Sequence, residues 1–467
     1  MHIAIIGAGA TGLAAAHDFL NAGQRVTLFE ASDKPGGLAT GIKAPGWDWS
    51  LEKFYHHWFA SDRDVLRLGE EIGVRDRMIF NRPVTVVYYA GKFYQLDGAL
   101  STLAPAMPWL DKLPLSGTLA RGLLALKFPG LSLADTMRYG MLGAYLVLTS
   151  NWRALEKVTA HEWLRRWAGK RGYEVLWEPL LVGKFGEELY RSVNMAWMWA
   201  RIKARTPRLG TFVGGFQAFF DELAANLQKR GAEIRYSTPV ERIELKTASN
   251  TWDVTLRQAG TTESFDRVLV TTSPRLMTKL APQLPPDYLA KLNNLKSLGA
   301  VVMIAALDRQ LSTRGFYWHN LPKSAGFPFL AMCEHTNFVS SEHFGGQHLI
   351  YCGDYLPVTH PYFAMSEAEL CQTYLPALKR FNPDFDPSWV KQIWVFKEPY
   401  AQPVPFVNHS HNIPPTRTPL AGLFFASMSH VYPWDRGTNY AVRLGREVAL
   451  EMMSNPDDNA TSQNHAA

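Results

Sequence analysis

The first twenty residues of the chain pass from an apolar run to a glycine-rich turn and then to an alanine-rich run. Met1 to Ile6 alternates little and is apolar, which is typical of a strand buried on both faces. Gly7, Gly9 and Gly12 follow at G-x-G-x-x-G spacing, and Leu13 to Leu20 then predicts a helix. Strand, glycines and helix in this order are the context that the motif requires, so the pattern predicts a dinucleotide site.

The glycines have distinct physical roles in such a site. Gly7 permits the tight turn, Gly9 lets the backbone approach a pyrophosphate, and Gly12 lets helix and strand pack closely. The free N–H groups and the positive dipole end of the helix N-terminus favour phosphates. The cofactor contacts expected here are those of Gly7, Gly9, Ala10, Thr11 and Gly12.

A second apolar run, QRVTLFEA, ends at Glu30 and predicts the next strand. A carboxylate there accepts hydrogen bonds from a ribose diol and repels a 2′-phosphate, which favours FAD or NAD over NADP; the alternative is a solvated strand end. A glycine pair follows and lets the chain run beneath a long extended ligand, which FAD needs and NAD does not. The further contacts expected are those of Ala31, Gly36, Gly37 and Leu38.

Composition narrows the class of protein. The 467 residues have room for two or three domains, and 47% apolar with 19% charged residues is ordinary for a globular protein. The net charge of +6 comes without a Lys/Arg-rich run or a basic-aromatic stripe. A mildly basic surface or a membrane-surface role is therefore expected, and nucleic acid is not an expected partner.

Three cysteines, Cys333, Cys352 and Cys371, lie far apart and form no C-x-x-C motif. This spacing argues against a disulfide scaffold and against zinc, so no metal site is predicted, and it fits a reducing compartment. No basic segment or cleavage site precedes the first strand, so no secretory signal is predicted. We expect a cytoplasmic protein, with peripheral contact at the inner face of the membrane as an open alternative.

The apolar strand, the three glycines, Glu30 and the Gly36-Gly37 pair together resemble the N-terminal FAD signature of the flavin amine oxidase superfamily. That superfamily includes monoamine oxidases, protoporphyrinogen oxidases, phytoene desaturases and UDP-galactopyranose mutases. Leu38 stands where the family has Arg. The resemblance implies an α/β fold, in which a Rossmann-like FAD-binding domain of the glutathione-reductase type is interleaved with a mixed α+β substrate domain.

A second segment resembles the same family. It contains a Gly214-Gly215 turn and an amphipathic helix, and the strand after them reaches Val240. The resemblance implies that the backbone of Val240 holds the adenine. The stretch SFDRVLVTTSP then predicts a strand that returns to the nucleotide, with Thr271 and Thr272 at its end.

The C-terminal stretch GLFFASMSHVYPWDRGTNY resembles the flavin motif of the family. The resemblance implies that a helix N-terminus at Gly437, Thr438 and Asn439 faces the pyrimidine end of the flavin, where a helix dipole stabilises the anionic reduced form. The family's usual Gly-Asp is missing, and Asp435 is expected to supply a ribityl or phosphate-side contact. No cysteine lies near this motif, so the FAD is expected to be non-covalent.

The matching segments are separated along the chain, which implies a discontinuous FAD-binding domain. That domain is assigned to residues 1–75, 209–289 and 411–455. Residues 76–208 and 290–410 are assigned to the substrate domain, with a largely helical middle segment. Residues 456–467 are expected to be a disordered tail.

Four side chains are catalytic candidates. The run HHWFASD resembles a His-aromatic-Phe run of the UDP-galactopyranose mutases, with Ala60 where the mutases have another His. His56 or His57 beside the flavin could shuttle a proton, or both could belong to a packed loop. Amine oxidases flank the substrate amine with two aromatic side chains. Tyr432 and Trp434 could do so here, with packing around the flavin as the alternative.

The middle of the chain combines helical periodicity with many aromatic residues. Five tryptophans could line an apolar substrate tunnel or form core: Trp163, Trp167, Trp177, Trp197 and Trp199. The uncharged stretch from Tyr139 to Trp152 is too short to cross a bilayer. Apolar helix faces nearby are flanked by Arg121, Lys127 and Arg138, an arrangement that allows a monotopic membrane contact.

No second glycine motif follows a strand, so we expect no NAD(P)H domain. The reduced flavin would then pass its electrons to oxygen, a quinone or another diffusible acceptor. We interpret the sequence as that of an FAD-dependent oxidoreductase. It would oxidise or desaturate a large, hydrophobic substrate by hydride transfer to flavin N5. Two alternatives stay open. One is a non-oxidative flavin mutase acting on a nucleotide sugar, and the other is a flavin-bound scaffold or redox sensor without turnover.

Overall fold

The computed structural model describes residues 1–95, 128–258 and 260–454. Arg121, Lys127 and the predicted tail at 456–467 lie outside these ranges. The helices of the described part are α1 (Ala10–Asn21), α2 (Arg63–Glu71), α3 (Leu133–Leu148), α4 (Trp152–Leu155), α5 (Ala160–Trp167), α6 (Gly169–Gly172), α7 (Glu178–Leu189), α8 (Met195–Ala204), α9 (Phe216–Lys229), α10 (Pro274–Leu280), α11 (Pro286–Asn294), α12 (Glu367–Tyr374) and α13 (Thr438–Ser454).

The strands of the described part are short except for three in the second half of the chain. In chain order they are β1 (His2–Ile6), β2 (Arg25–Phe29), β3 (Gly41–Ile42), β4 (Leu51–Glu52), β5 (Trp58–Phe59), β6 (Met78–Asn81), β7 (Thr85–Tyr89), β8 (Lys92–Gln95), β9 (Leu209–Phe212), β10 (Glu233–Arg235), β11 (Val240–Lys246), β12 (Thr251–Leu256), β13 (Thr262–Phe265), β14 (Arg267–Val270), β15 (Ser297–Leu307), β16 (Trp318–Asn320), β17 (Ala331–Glu334), β18 (His348–Leu356), β19 (Val390–Pro403) and β20 (Leu423–Phe425).

A parallel five-stranded sheet, ordered β10-β2-β1-β14-β20, gathers strands from three distant parts of the chain. Helices α1, α9 and α13 cover one face of it, and β11 to β13 with α10 and α11 cover the other. Ile3 and Ile5 point into the first layer, while Ala4 and Ile6 point into the second. Burial on both faces is why β1 is apolar without alternation. The mixed α/β class predicted from the sequence is confirmed.

A mixed seven-stranded sheet, ordered β19-β15-β18-β17-β16-β7-β8, forms a second layer. Its neighbouring strands are antiparallel except for the parallel pair of β16 and β7. One face packs under α12 and the turns that follow it, and the other packs against the segment around Trp47 and Leu51. The long strand β15 is buried along almost its whole length because β18 and β19 flank it.

Helices α3 to α8 pack into a helical block with its own aromatic core. Trp177, Trp197 and Trp199 are buried in that core, whereas Trp163 is only partly buried and Trp167 is exposed. Three of the five tryptophans therefore form core rather than the wall of an open tunnel. A π-helical turn at Tyr173–Trp177 leads into α7.

Two expectations from composition can be compared with the structure. Within the described ranges, no helix has both the length and the apolar composition that a membrane span requires. All three cysteines are free, with Cys333 and Cys352 buried and Cys371 partly buried.

The first prediction concerns the contact of α13 with α1. A Cβ at Gly445 would lie 2.3 Å from the carbonyl oxygen of Thr11 and 3.1 Å from the backbone nitrogen of Ala15. Backbone atoms cannot rotate away, so Gly445→Ala must push the two helices apart. We expect the free energy of unfolding to fall by about 1–3 kcal/mol in urea titrations followed by circular dichroism.

Gly140→Ala is the matched control for this substitution. Gly140 lies in α3, and an added Cβ there meets no atom of the described residues within 4 Å. The alanine should raise the free energy of unfolding by about 0.5–1 kcal/mol because it restricts the unfolded chain. Equal effects of the two substitutions would contradict the close approach at Gly445.

Candidate functional site

The glycine-rich loop after β1 and the glycine pair after β2 lie against each other. The N–H of Gly36 donates to the carbonyl of Ala8 at 2.9 Å, and a Cβ at Gly37 would come 3.3 Å from the Cα of Gly9. Gly12 has no room for a side chain, because its Cβ would lie 2.1 Å from the carbonyl oxygen of Gly7. The two loops form one cradle (the glycine cradle), with Gly37 exposed and Gly9 partly exposed.

Glu30 joins the two loops of the glycine cradle. One carboxylate oxygen accepts from the N–H of Ala8 at 2.7 Å, and the other accepts from the N–H and hydroxyl of Ser32 at 2.9 and 2.8 Å. The carbonyl of Glu30 accepts from the N–H of Thr238, which brings Val240 at the start of β11 close to it. A ribose at Glu30 and an adenine at Val240 therefore fit this geometry.

Other predicted contacts lie around the same cradle. Ala31 is exposed at the end of β2, and Leu38 lies in the short turn after the glycine pair. The hydroxyl of Thr271 bonds to the carbonyls of Ile6 and Gly7 at 3.0 and 3.1 Å. The hydroxyl oxygen of Thr272 is buried and has no hydrogen-bond partner among the described residues. A buried unpaired hydroxyl is costly, so this position fits a bound cofactor that would satisfy it.

The histidine run and the C-terminal loop meet at the N-terminus of α13. The indole N–H of Trp58 donates to the hydroxyl of Thr438 at 2.8 Å. The side-chain oxygen of Asn439 accepts from the N–H groups of Asp64 and Val65 at 2.9 and 3.1 Å. Gly437 is exposed, and within the described residues a Cβ there would meet only Tyr440, at 3.9 Å. The open face at Gly437 leaves space for a flat ring system.

The two histidines are partly buried and lie near a group of arginines. Nδ1 of His56 bonds to the carbonyl of Phe54 at 2.6 Å, whereas Nδ1 of His57 has no partner among the described residues. Burial, together with Arg436, lowers the pKa of His56 to about 4. Burial, together with Arg205 and other neighbouring cations, lowers the pKa of His57 to about 3. Both imidazoles are therefore neutral at pH 7 and poor proton acceptors there. Their catalytic role stays a prediction.

Asp435 is bound by the helical block. It forms an ion pair with Arg201, and its other oxygen accepts from the indole N–H of Trp197 at 3.1 Å. Burial alone would raise the pKa of Asp435, but Arg201, Lys184 and the other cations outweigh burial and hold the pKa well below its usual range. Both carboxylate oxygens are thus used within the chain, and the predicted ribityl or phosphate-side contact stays untested.

Sequence patterns did not reveal the cations beside Asp435. Lys184 comes from α7, Arg201 from α8, and Arg436 from the C-terminal loop. Burial and the neighbouring Arg436 lower the pKa of Lys184 well below its usual range. These residues share no motif spacing, and only the packing of α7 and α8 against the loop brings them together.

Tyr432 and Trp434 do not form a facing pair. The hydroxyl of Tyr432 donates to Glu156 at 3.0 Å and accepts from Asn194 at 2.9 Å, so it is held within the helical block. Trp434 stacks on Tyr440 with a ring separation of 5.5 Å and also contacts Trp199. The geometry favours packing, and a role in flanking the substrate stays a prediction.

Two further groups of polar residues were missed in the sequence. Glu52 is buried, accepts from the N–H of Phe216 at 2.7 Å at the start of α9, and has its pKa raised to about 7 by burial. Side-chain atoms of His17, Asp18 and Glu71 lie within 4.8 Å of one another, as metal ligands would. The guanidinium of Arg446 already bonds to Glu71, which fits an ion-pair cluster better than a metal centre.

Comparison with known proteins places the chain in a family. A model described as “Flavin containing amine oxidoreductase” matches residues 10–453. The “Probable zeta-carotene desaturase” of Synechococcus elongatus is 25% identical over 292 residues, which are 57% of this chain and 56% of the desaturase. The “Protoporphyrinogen oxidase, mitochondrial” of Nicotiana tabacum is 36% identical over 78 residues, which are 17% of this chain and 15% of that protein. The chain thus matches little more than half of the first relative.

An oxidoreductase from Methanosarcina mazei has a similar structure, with a TM-score of 0.69 over 97% of this chain and 100% of that chain. The identity of 17% makes this a likeness of fold alone. The prediction of non-covalent FAD as the cofactor is confirmed. Because the family model covers nearly the whole chain, the protein belongs to the family of flavin-containing amine oxidoreductases.

Proposed function

We propose that the protein is an FAD-dependent enzyme that oxidises a C–H bond of a small molecule by hydride transfer. One observation carries the proposal. The glycine cradle, Glu30 and the N-terminus of α13 all lie at the carboxyl ends of strands of the parallel sheet, where ligands bind in open α/β sheets. Residues 1–75, 209–289 and 411–455 then form a Rossmann-like FAD-binding domain of the glutathione-reductase type, with the substrate domain between them.

FAD, when bound, supplies the two-electron acceptor. The chain would hold the ribose at Glu30 and the pyrophosphate at the N-terminus of α1. The N-terminus of α13 directs its positive dipole end toward the open face at Gly437, where it stabilises negative charge. We assign His56 and His57 to this edge as neutral hydrogen-bonding groups, since their lowered pKa values disfavour proton uptake at pH 7.

The substrate and the electron acceptor are proposed at the level of class. A large apolar substrate is supported by the names of the two sequence relatives, a zeta-carotene desaturase and a protoporphyrinogen oxidase. The tryptophan-rich segment no longer supports it, because Trp177, Trp197 and Trp199 pack as core. A mutase acting on a nucleotide sugar is the second candidate, and the cations near Asp435 favour it because such a substrate is anionic. Oxygen or a quinone is the proposed acceptor.

Anaerobic mixing separates the candidate functions. The FAD-loaded protein is mixed without oxygen with a polyene, a porphyrinogen, a diamine and a nucleotide sugar, and the visible flavin absorbance is followed. We expect one of the first three to bleach the flavin, because only an oxidase or desaturase takes hydride from its substrate. A mutase would instead convert the sugar after chemical reduction of the flavin, and a scaffold would do neither; both outcomes contradict the proposal.

Glu30→Ala tests the ribose assignment. Removing the carboxylate frees the N–H of Ala8 and loses an acceptor for the ribose, so we expect FAD to dissociate about 10- to 100-fold more readily. Asp33→Ala is the matched control, since Asp33 is an exposed carboxylate three residues later. Fluorescence titration of the apoprotein with FAD measures both. Equal affinities of the two variants would exclude Glu30 from the site.

We also propose that α3 contacts a lipid surface. Five large apolar side chains on one face of α3 are between 51% and 73% exposed: Leu133, Met137, Met141, Tyr145 and Leu148. Tyr145 stacks on Trp163, which extends this apolar face (the α3 patch) toward the exposed Trp167. Arg138 lies on α3 itself and Arg166 lies over the ring of Trp167, and such basic borders favour anionic lipid headgroups.

Flotation with vesicles of phosphatidylglycerol and phosphatidylcholine tests the lipid contact. Met141→Glu should lower the vesicle-bound fraction about tenfold, because it replaces an apolar side chain worth about 1.5 kcal/mol on burial with a charge. Leu450→Glu is the control, since Met141 and Leu450 are both 66% exposed and Leu450 lies on α13. The absence of vesicle binding by the unmodified protein would contradict the proposed lipid contact.

A further inference from the structure

Four cationic side chains converge beside the C-terminal loop, and one carboxylate lies among them. The cations are Lys184, Arg201, Arg205 and Arg436, and the carboxylate is that of Asp435. All five interact electrostatically, and among the described residues the cations at this place outnumber the carboxylates. Such an excess in a partly buried place is unfavourable unless an anion balances it.

Two of these cations have no carboxylate of their own. Arg201 takes the carboxylate of Asp435 as its ion-pair partner. Among residues 1–95, 128–258 and 260–454, no carboxylate lies within ion-pair distance of Lys184 or Arg436. Arg436 instead donates to the side-chain oxygen of Gln402 at 3.0 Å and to the hydroxyl of Tyr355.

Lys184 and Arg436 approach the same aromatic ring. The ammonium of Lys184 lies 4.2 Å from the ring centre of Tyr355, and the guanidinium of Arg436 lies 5.0 Å from it. The helix that carries Lys184 is broken at Gly186, where φ is 75° and ψ is 166°. The break interrupts the regular helix two residues after Lys184. Helix α7 is in contact with strand β18, which carries Tyr355.

We propose that Lys184 and Arg436 bind an anionic oxygen group of the substrate, a carboxylate or a phosphate. Arg436 directly precedes the open face at Gly437, so the bound anion would lie beside the flavin edge. The planar guanidinium can bind two oxygens of such a group, and the ammonium adds a point charge. Burial, and after it the neighbouring Arg436, lower the pKa of Lys184, and a bound anion would favour its charged form. This inference rests on the proposed function and adds the substrate class to it.

The pyrophosphate of FAD is not the anion that we propose for Lys184 and Arg436. That group is assigned to the glycine cradle, and α13 touches α1 at Gly445, seven residues after its first residue Thr438. A helical rise of about 1.5 Å per residue puts the N-terminus of α13 about 10 Å along the helix from this contact. The loop that carries Arg436 therefore lies away from the pyrophosphate position, and an anion bound there would be a separate group.

Titration of the FAD-loaded protein with inorganic pyrophosphate and, separately, with glutarate tests the proposal. Binding is followed by calorimetry and by the difference spectrum of the bound flavin. We expect at least one probe to bind and to perturb the flavin spectrum, since the site adjoins the flavin edge. Preference for pyrophosphate indicates a phosphate-bearing substrate, and preference for glutarate indicates a carboxylate-bearing one.

Variants identify the residues that bind the probe. Lys184→Gln and Arg436→Gln should each weaken binding about 10- to 100-fold, because each removes a charge-assisted contact. Lys184→Arg should restore most of the affinity, which a merely structural lysine would not do. Lys246→Gln is the matched control, as Lys246 is an exposed cation on β11 paired with Asp253. It should leave binding unchanged.

Three outcomes would overturn the inference. These are the absence of binding of either probe, equal binding by all variants, or binding with no change in the flavin spectrum. FAD content is measured in every variant, and it keeps the two proposals distinguishable. Normal FAD content with no anion binding removes only the substrate class, whereas a chain that holds no FAD removes the proposed function itself.

Discussion

The backbone contact between α13 and α1 is the constraint on which the candidate site depends. Because Gly445 has no side chain, the backbone of α13 lies directly against the backbone of α1. Helix α1 begins at the glycine cradle, and α13 begins at the C-terminal loop. Their contact therefore fixes how far the first motif of the chain lies from the last one. The bonds from Trp58 to Thr438 and from Asn439 to the start of α2 then hold the histidine run against that loop.

The charge distribution of the site follows from how the helical block packs. Burial keeps His56 and His57 neutral, so they add no charge to the open face at Gly437. The positive charge comes instead from α7, α8 and the loop, and it accompanies the positive dipole end of α13. Both contributions act in the same direction: they favour any negative charge that forms or binds at that edge. The same field would raise the affinity for an anionic substrate.

The sequence predicts the cofactor end of the site far better than the substrate end. Gly7, Gly9, Gly12 and Glu30 lie within one strand-turn-helix-strand unit, so their spacing along the chain determines their spacing in space. The fold class follows from the same local pattern. Lys184 and Arg436 are 252 positions apart, and no local period relates them. The tryptophans show a similar limit, because a stripe of indoles has the same pattern whether it lines a cavity or fills a core.

Asp435 pairs with one of the neighbouring cations, so not all of them are available to bind a substrate. Its carboxylate forms the ion pair with Arg201 and also accepts from the indole of Trp197, so that both oxygens have charge-assisted or polar partners. Removing one partner of a partly buried ion pair leaves an uncompensated charge, which costs several kcal/mol, about 3–5 in buried cases. The pair therefore fixes α8 to the C-terminal loop and takes Arg201 out of the local excess. Lys184 and Arg436 lie against the ring of Tyr355, and no carboxylate of the described residues is within ion-pair distance of either.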